Sequence, residues 1–108
     1  MTAPTWHDVA AESDIPAGDV IGRIAGEHPV ALYRLSDGLY ATDATCTHGN
    51  ASLCNGFVEA DGQIECPLHQ GRFDIRSGKA LCEPLEHDLR VHPVRIERGR
   101  VFVQIEAG

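Results

Sequence analysis

Apolar and polar positions alternate along the last stretch of the chain. Val101, Val103 and Ile105 share one parity, and Gln104 and Glu106 the other, which is the period of a strand with one buried face. Leu89 and Val91 are odd, Val94 and Ile96 even, and the switch falls at Pro93, so a bulge or bend is expected there. Turn dipeptides punctuate the sequence at Asp37-Gly38, Asp61-Gly62, Ser77-Gly78 and Arg98-Gly99. Short β-prone runs flank each of them: PVALYRL and LYATD, GFVEA and QIEC, RFDIR and KALCE, VRIE and VFVQIE. Each pair reads as a hairpin. Helical periodicity nowhere outlasts a turn or two, and HDVAAESD is the best short candidate. The fold class is all-β, built of antiparallel hairpins.

With 108 residues the chain is one domain's worth, spanning 1–108. It can bury a modest core, and a chain this short often gains from a crosslink such as a disulfide or a metal. Hydrophobic residues are 43% and charged residues 23% of the whole, a soluble globular balance. No apolar run nears the roughly 18 residues of a membrane span, and the start MTAPTWHDVAAESD lacks the form of a secretory signal. A cytoplasmic protein is the expectation. The formal charge of -7 argues against nucleic acid as partner and suits a partner with a basic docking patch.

The chemistry concentrates in Cys46-x-His48, seventeen residues, then Cys66-x-x-His69. Two short blocks, each pairing a thiol with an imidazole, describe a four-ligand metal site. Both blocks fall after strands, at loop starts, and the Asp61-Gly62 hairpin between them can fold back to bring them together. Gly49 and Gly71 follow the blocks and allow close backbone approach; Pro67 stiffens the second. Zinc accepts two Cys and two His, but its common fingers pair like with like. Here each block mixes the two. That suits a two-iron cluster with both cysteines on one iron and both histidines on the other.

The segments CTHGNASL, GFVE and IECPLHQGRFDIRSGKALCEP resemble the Rieske-type ferredoxins of bacterial aromatic-ring-hydroxylating dioxygenases, of the naphthalene, salicylate and biphenyl systems. The resemblance runs through HPVRIERGRVFVQIE, near the end of the chain. It implies a Rieske fold of antiparallel sheets in which two loops, within about residues 44–83, form a cluster-binding subdomain. It also implies one [2Fe-2S] cluster, held by Cys46 and Cys66 on one iron and His48 and His69 on the other. The family role is an electron shuttle, not an enzyme: it carries one electron at a time from a flavoprotein ferredoxin reductase to a terminal oxygenase. A monomer is expected, with no membrane partner. A second reading is the small Rieske-fold subunit of a nitrite reductase-like enzyme, though some members of that class lose the ligands that this chain keeps.

Two histidines in place of two thiolates leave the oxidised core neutral, which raises its potential. Within the class the potential is expected near the low end, about -150 mV. Respiratory relatives carry a disulfide where this chain has Ala51 and Leu68, and hydroxyl donors where it has Gly71 and Phe73; each missing donor removes a stabiliser of added negative charge. Cys54 and Cys82 are expected to be small half-buried residues, and His87 and His92 surface or strand residues. Gly49, Asn50, Pro67, Leu68 and Gln70 ring the ligand positions and are the expected docking rim.

Overall fold

The computed structural model describes residues 5–46, 52–59, 62–67, 71–81 and 87–105. Ten strands are found among them: β1 Thr5–Ala11, β2 Val20–Ala25, β3 His28–Leu35, β4 Gly38–Asp43, β5 Phe57–Glu59, β6 Gln63–Glu65, β7 Arg72–Asp74, β8 Val91–His92, β9 Val94–Glu97 and β10 Arg100–Ile105. They form three antiparallel sheets, ordered β1-β10-β9, β2-β3-β4-β8 and β5-β6-β7.

The central element is β3, whose run VALY is buried on both faces. Val30 and Leu32 point into one core, with Val9, Ala10, Ile15, Ala25, Ala41, Val101 and Val103. Ala31 and Tyr33 point into the other, with Val20, Cys46, Leu53, Ile64, Cys66, Phe73, Ile75 and Leu89. The two-residue period of a strand therefore feeds two separate cores from one run of residues. This is why PVALYRL reads as nearly continuous apolar sequence: only a strand covered on both sides tolerates that.

Three of the four expected hairpins form as strand pairs, β3–β4, β5–β6 and β9–β10. At the last, Arg98 and Gly99 both have positive φ, 51° and 76°, the geometry that a two-residue hairpin loop demands. Around Ser77-Gly78 the pairing shrinks to the single bridge Phe73–Ala80. Asp74 there receives the Ser77 N–H and hydroxyl at 3.0 and 2.7 Å, a side-chain turn that competes with a longer ladder.

Pro93 does more than bend the chain. β8 pairs with β4, and β9 pairs with β10, so Pro93 is where one strand run leaves the central sheet and joins the outer one. Lacking an N–H, it suits such a junction, and its carbonyl accepts from Gln104 N–H at 3.0 Å. Ile96 is 43% exposed, so the expected even-parity face beyond Pro93 is covered only at Val94.

HDVAAESD is corrected from helix to strand. Residues 7–11 belong to β1, paired with β10, and only Glu12–Asp14 make a turn of 3-10 helix. A register shift between Asp8 and Ala10 breaks the alternation, which hides the strand from a period-two reading. β2 also went unpredicted, because Gly22 and Arg23 interrupt VIGRIA.

Candidate metal centre

The first thiol stands just beyond β4. From Asp43 the chain continues through Ala44, whose N–H donates to Pro29 O at 3.2 Å, and Thr45, which bridges to Ser52. Leu53 N–H then donates to Ala44 O at 2.7 Å. These bonds tie the outgoing and returning ends of the segment that begins at Cys46. The Ser52 hydroxyl caps the short 3-10 turn Leu53–Asn55 through Cys54 N–H at 3.3 Å.

The second thiol stands just beyond β6. Cys66 N–H donates to Gly71 O at 2.7 Å, closing the segment between them at its base. Pro67 is exposed. β6 is also the middle strand of its sheet, with Ile64 between Val58 and Phe73, so Cys66 is carried on the best-supported element of the three. Gly56 locks the two segments together: a Cβ there would stand 2.2 Å from the carbonyl oxygen of Glu65, the residue before Cys66. Only glycine permits that approach.

Cys46 and Cys66 are 4% and 1% exposed and lie in one continuous core with Leu53, Ile64 and Phe73. They are twenty positions apart in sequence, and the β5–β6 hairpin brings them together. Cys46, Cys54 and Cys66 are thiols rather than half-cystines. Two buried thiols in an apolar setting, at the mouths of two pinned segments, fit the cysteine half of a [2Fe-2S] site, because soft thiolates shielded from water are the ligands such iron takes. His48, His69 and Cys82 lie outside the described residues, as do Gly49, Asn50, Ala51, Leu68 and Gln70. Cys54 is half-buried, as expected, and packs over β2 at Gly22. In the same core, the buried Tyr33 hydroxyl meets Thr42 Oγ1 at 2.8 Å, and burial raises the phenol well above its ordinary range.

A model of the Rieske [2Fe-2S] domain matches residues 5–93. The chain belongs to the Rieske [2Fe-2S] family. This Rieske protein is 50% identical over 101 residues to the ferredoxin component of the naphthalene 1,2-dioxygenase/salicylate 5-hydroxylase systems of Ralstonia sp., covering 94% of this chain and 96% of that one. Among solved structures it resembles a chain of the complex of reduced oxygenase and oxidized ferredoxin in carbazole 1,9a-dioxygenase, with TM-score 0.82, 40% identity and 91% of each chain covered. A chain from Mycobacterium tuberculosis assigned as an NADH-dependent nitrite reductase small subunit has TM-score 0.86 at 24% identity, covering 99% of this chain and 100% of that one; that likeness is one of fold. No helix among the described residues is long and apolar enough to cross a membrane.

His87 is exposed, and His92 is a strand residue whose side chain is only 4% exposed. His92 has a setting that sequence reading missed. The Nε2 atoms of His28 and His92 stand 2.5 and 2.7 Å from the same Oδ1 of Asp43, so both imidazoles donate to one oxygen. Burial pushes the Asp43 carboxyl up, but the bonds from His28 and His92 outweigh it and leave the group below the ordinary carboxylate range. The three residues are 15 and 49 positions apart, so no local motif could announce them.

Proposed function

We propose that this Rieske protein is the soluble ferredoxin of a multicomponent aromatic-ring dioxygenase, carrying one electron at a time from a flavoprotein reductase to the terminal oxygenase. The observation that carries the reading is the meeting of Cys46 and Cys66 in one buried core. The full-length likeness to the Ralstonia ferredoxin component supports it. The whole of 1–108 is one Rieske domain, with residues 44–83 as the cluster-binding subdomain. Cys46 and Cys66 hold one iron, and His48 and His69 the other. When bound, the [2Fe-2S] cluster would supply a one-electron couple.

The chain's own residues do the rest. Leu53, Ile64 and Phe73 exclude water from the thiol side, which keeps the local dielectric low and the thiolates shielded. Pro67 is exposed beside the buried Cys66 and belongs to the docking rim with Gly49, Asn50, Leu68 and Gln70. The charge of -7 steers the monomer toward basic patches on both partners. A carrier that serves two partners in turn needs a small interface and fast release. The cytoplasm, where thiols stay reduced, suits cysteines that serve as metal ligands.

The test is reconstitution with a flavoprotein reductase and an oxygenase of the naphthalene type. NADH-driven turnover should require the holoprotein and slow as ionic strength rises. Cys46→Ser and Cys66→Ser should abolish the visible and paramagnetic signatures of the cluster, whereas Cys54→Ser should keep both. A cluster surviving either of the first two changes overturns the ligand assignment. Turnover indifferent to the ferredoxin overturns the role.

A further inference from the structure

The trio His28, Asp43 and His92 belongs to neither core's packing and has no part in the role proposed above. Its three residues sit on β3, β4 and β8, three successive strands of the central sheet. Register places them on one face. His28 has the parity of Val30 and Leu32, Asp43 that of Ala41, and His92 is paired with Ala41. That face covers the aliphatic core, whereas Cys46 and Cys66 belong to the opposite one.

We propose that His28, Asp43 and His92 form a second metal site, taking a borderline divalent ion of the zinc class independently of the iron–sulfur centre. Three observations carry this. First, the donor set is two imidazole nitrogens and one carboxylate oxygen, with all three ligand atoms within 4.8 Å of one another; zinc takes this set in sites that keep a further position open. Second, the two imidazoles approach edge to face, with centroids 5.3 Å apart and planes at 81°, so their Nε2 atoms reach the same carboxylate oxygen from different directions. Third, His92 is anchored in the sheet, while the side chains of His28 and Asp43 are 33% and 31% exposed. One ligand is thus fixed, two can adjust, and water has access to complete the shell.

Metal-to-ligand distances near 2.0–2.2 Å separate two ligands by about 3.3–3.6 Å in a tetrahedral shell. The Nε2–Oδ1 distances of 2.5 and 2.7 Å then open by roughly 0.6–1.1 Å. Rotation of the half-exposed Asp43 and His28 side chains supplies that. Metal at Nε2 replaces the N–H bonds now made to Asp43, so each ring binds as its neutral Nδ1–H tautomer: a ring that starts neutral moves its proton from Nε2 to Nδ1, and a ring that starts charged releases one proton.

The test uses holoprotein incubated with zinc sulfate, desalted, and analysed for zinc and iron together. One zinc per two irons is expected, with the visible spectrum of the cluster unchanged. Anomalous scattering at the zinc edge should place the ion between the three side chains. His28→Asn and Asp43→Asn, which remove half-exposed donors at little cost to packing, should each weaken zinc retention at least tenfold while iron content stays the same. No retained zinc in the wild-type protein overturns the proposal. So does zinc that survives both substitutions, or zinc gained only in step with iron lost. Because iron and zinc are counted separately, failure here is distinguishable from failure of the electron-carrier reading.

Discussion

The two faces of β3 hold chemically different cores. Toward the β1-β10-β9 sheet the lining is aliphatic throughout: Val9, Ala10, Ile15, Ala25, Val30, Leu32, Ala41, Val101 and Val103. Toward the β5-β6-β7 sheet it includes two thiols, a phenol and an aromatic ring, in Cys46, Cys66, Tyr33 and Phe73. The aliphatic core lies between β3 and an outer sheet whose strands are four to seven residues long, the other between β3 and three-residue strands. Short strands bury little area of their own, and a three-stranded sheet of that size is marginal without something to pack on. The difference separates two jobs. One face supplies folding free energy through burial of hydrocarbon. The other is a shell around soft ligands, and it leans on the first for its order.

This contrast breaks most sharply in paired core substitutions. Phe73→Ala should cost about 3–5 kcal/mol and Leu32→Ala about 2–5 kcal/mol, both large against a typical domain stability of roughly 5–15 kcal/mol. Thermal melts of the holoproteins should fall in both. Iron per folded chain should fall only for Phe73→Ala, because Leu32 faces away from the thiols. Equal iron loss in the two variants would merge the faces into one cooperative unit.

A subtler change sharpens the same division. Phe73 is fully buried beside Ile64 and shares a core with Cys66. Phe73→Tyr adds a hydroxyl on the cluster side alone. Its hydrogen bond to sulfur should raise the midpoint potential by tens of millivolts, with one bond to a charged group at about 1.5–3 kcal/mol as the upper limit. Voltammetry checks it. A midpoint that stays put or falls, with the hydroxyl seen at sulfur, removes hydrogen bonding from the tuning argument.

The smallest effect is expected where the outer surfaces of the two regions touch. Arg76, just past β7, forks onto Asp37 in the β3–β4 turn with bonds of 3.0 and 2.8 Å and lies over Tyr40. The Arg76 guanidinium draws the Asp37 carboxyl below its ordinary range. Since the folded pKa is the lower one, the pair stabilises the fold above the unfolded pKa and loses that contribution as pH falls through the folded value. Arg76→Ala should return Asp37 to the usual carboxylate range in an NMR titration. Stability should drop only slightly, since the pair is exposed, and the difference should vanish in acid.

Much of this was written in the residues themselves. Hairpins at Asp37-Gly38, Asp61-Gly62 and Arg98-Gly99 follow from local turn chemistry, and the all-β class from period-two alternation. The mixed Cys/His blocks speak for an iron–sulfur site because ligand type and spacing are local properties. Other features have no local signal. β1 is a strand because β10 pairs with it from the far end of the chain, and its bulge erases the alternation that would have marked it. Pro93 reads as a bend, yet which sheet each side joins depends on β4 and β10 being in place. Gly56 looks like an ordinary turn residue until Glu65 closes on it. His28, Asp43 and His92 come from three strands with nothing in sequence to connect them. Sequence determines the preferences of each short stretch; only the folded sheets decide which distant side chains meet, because those meetings are set by register and packing between strands rather than by the conformational bias of any one of them.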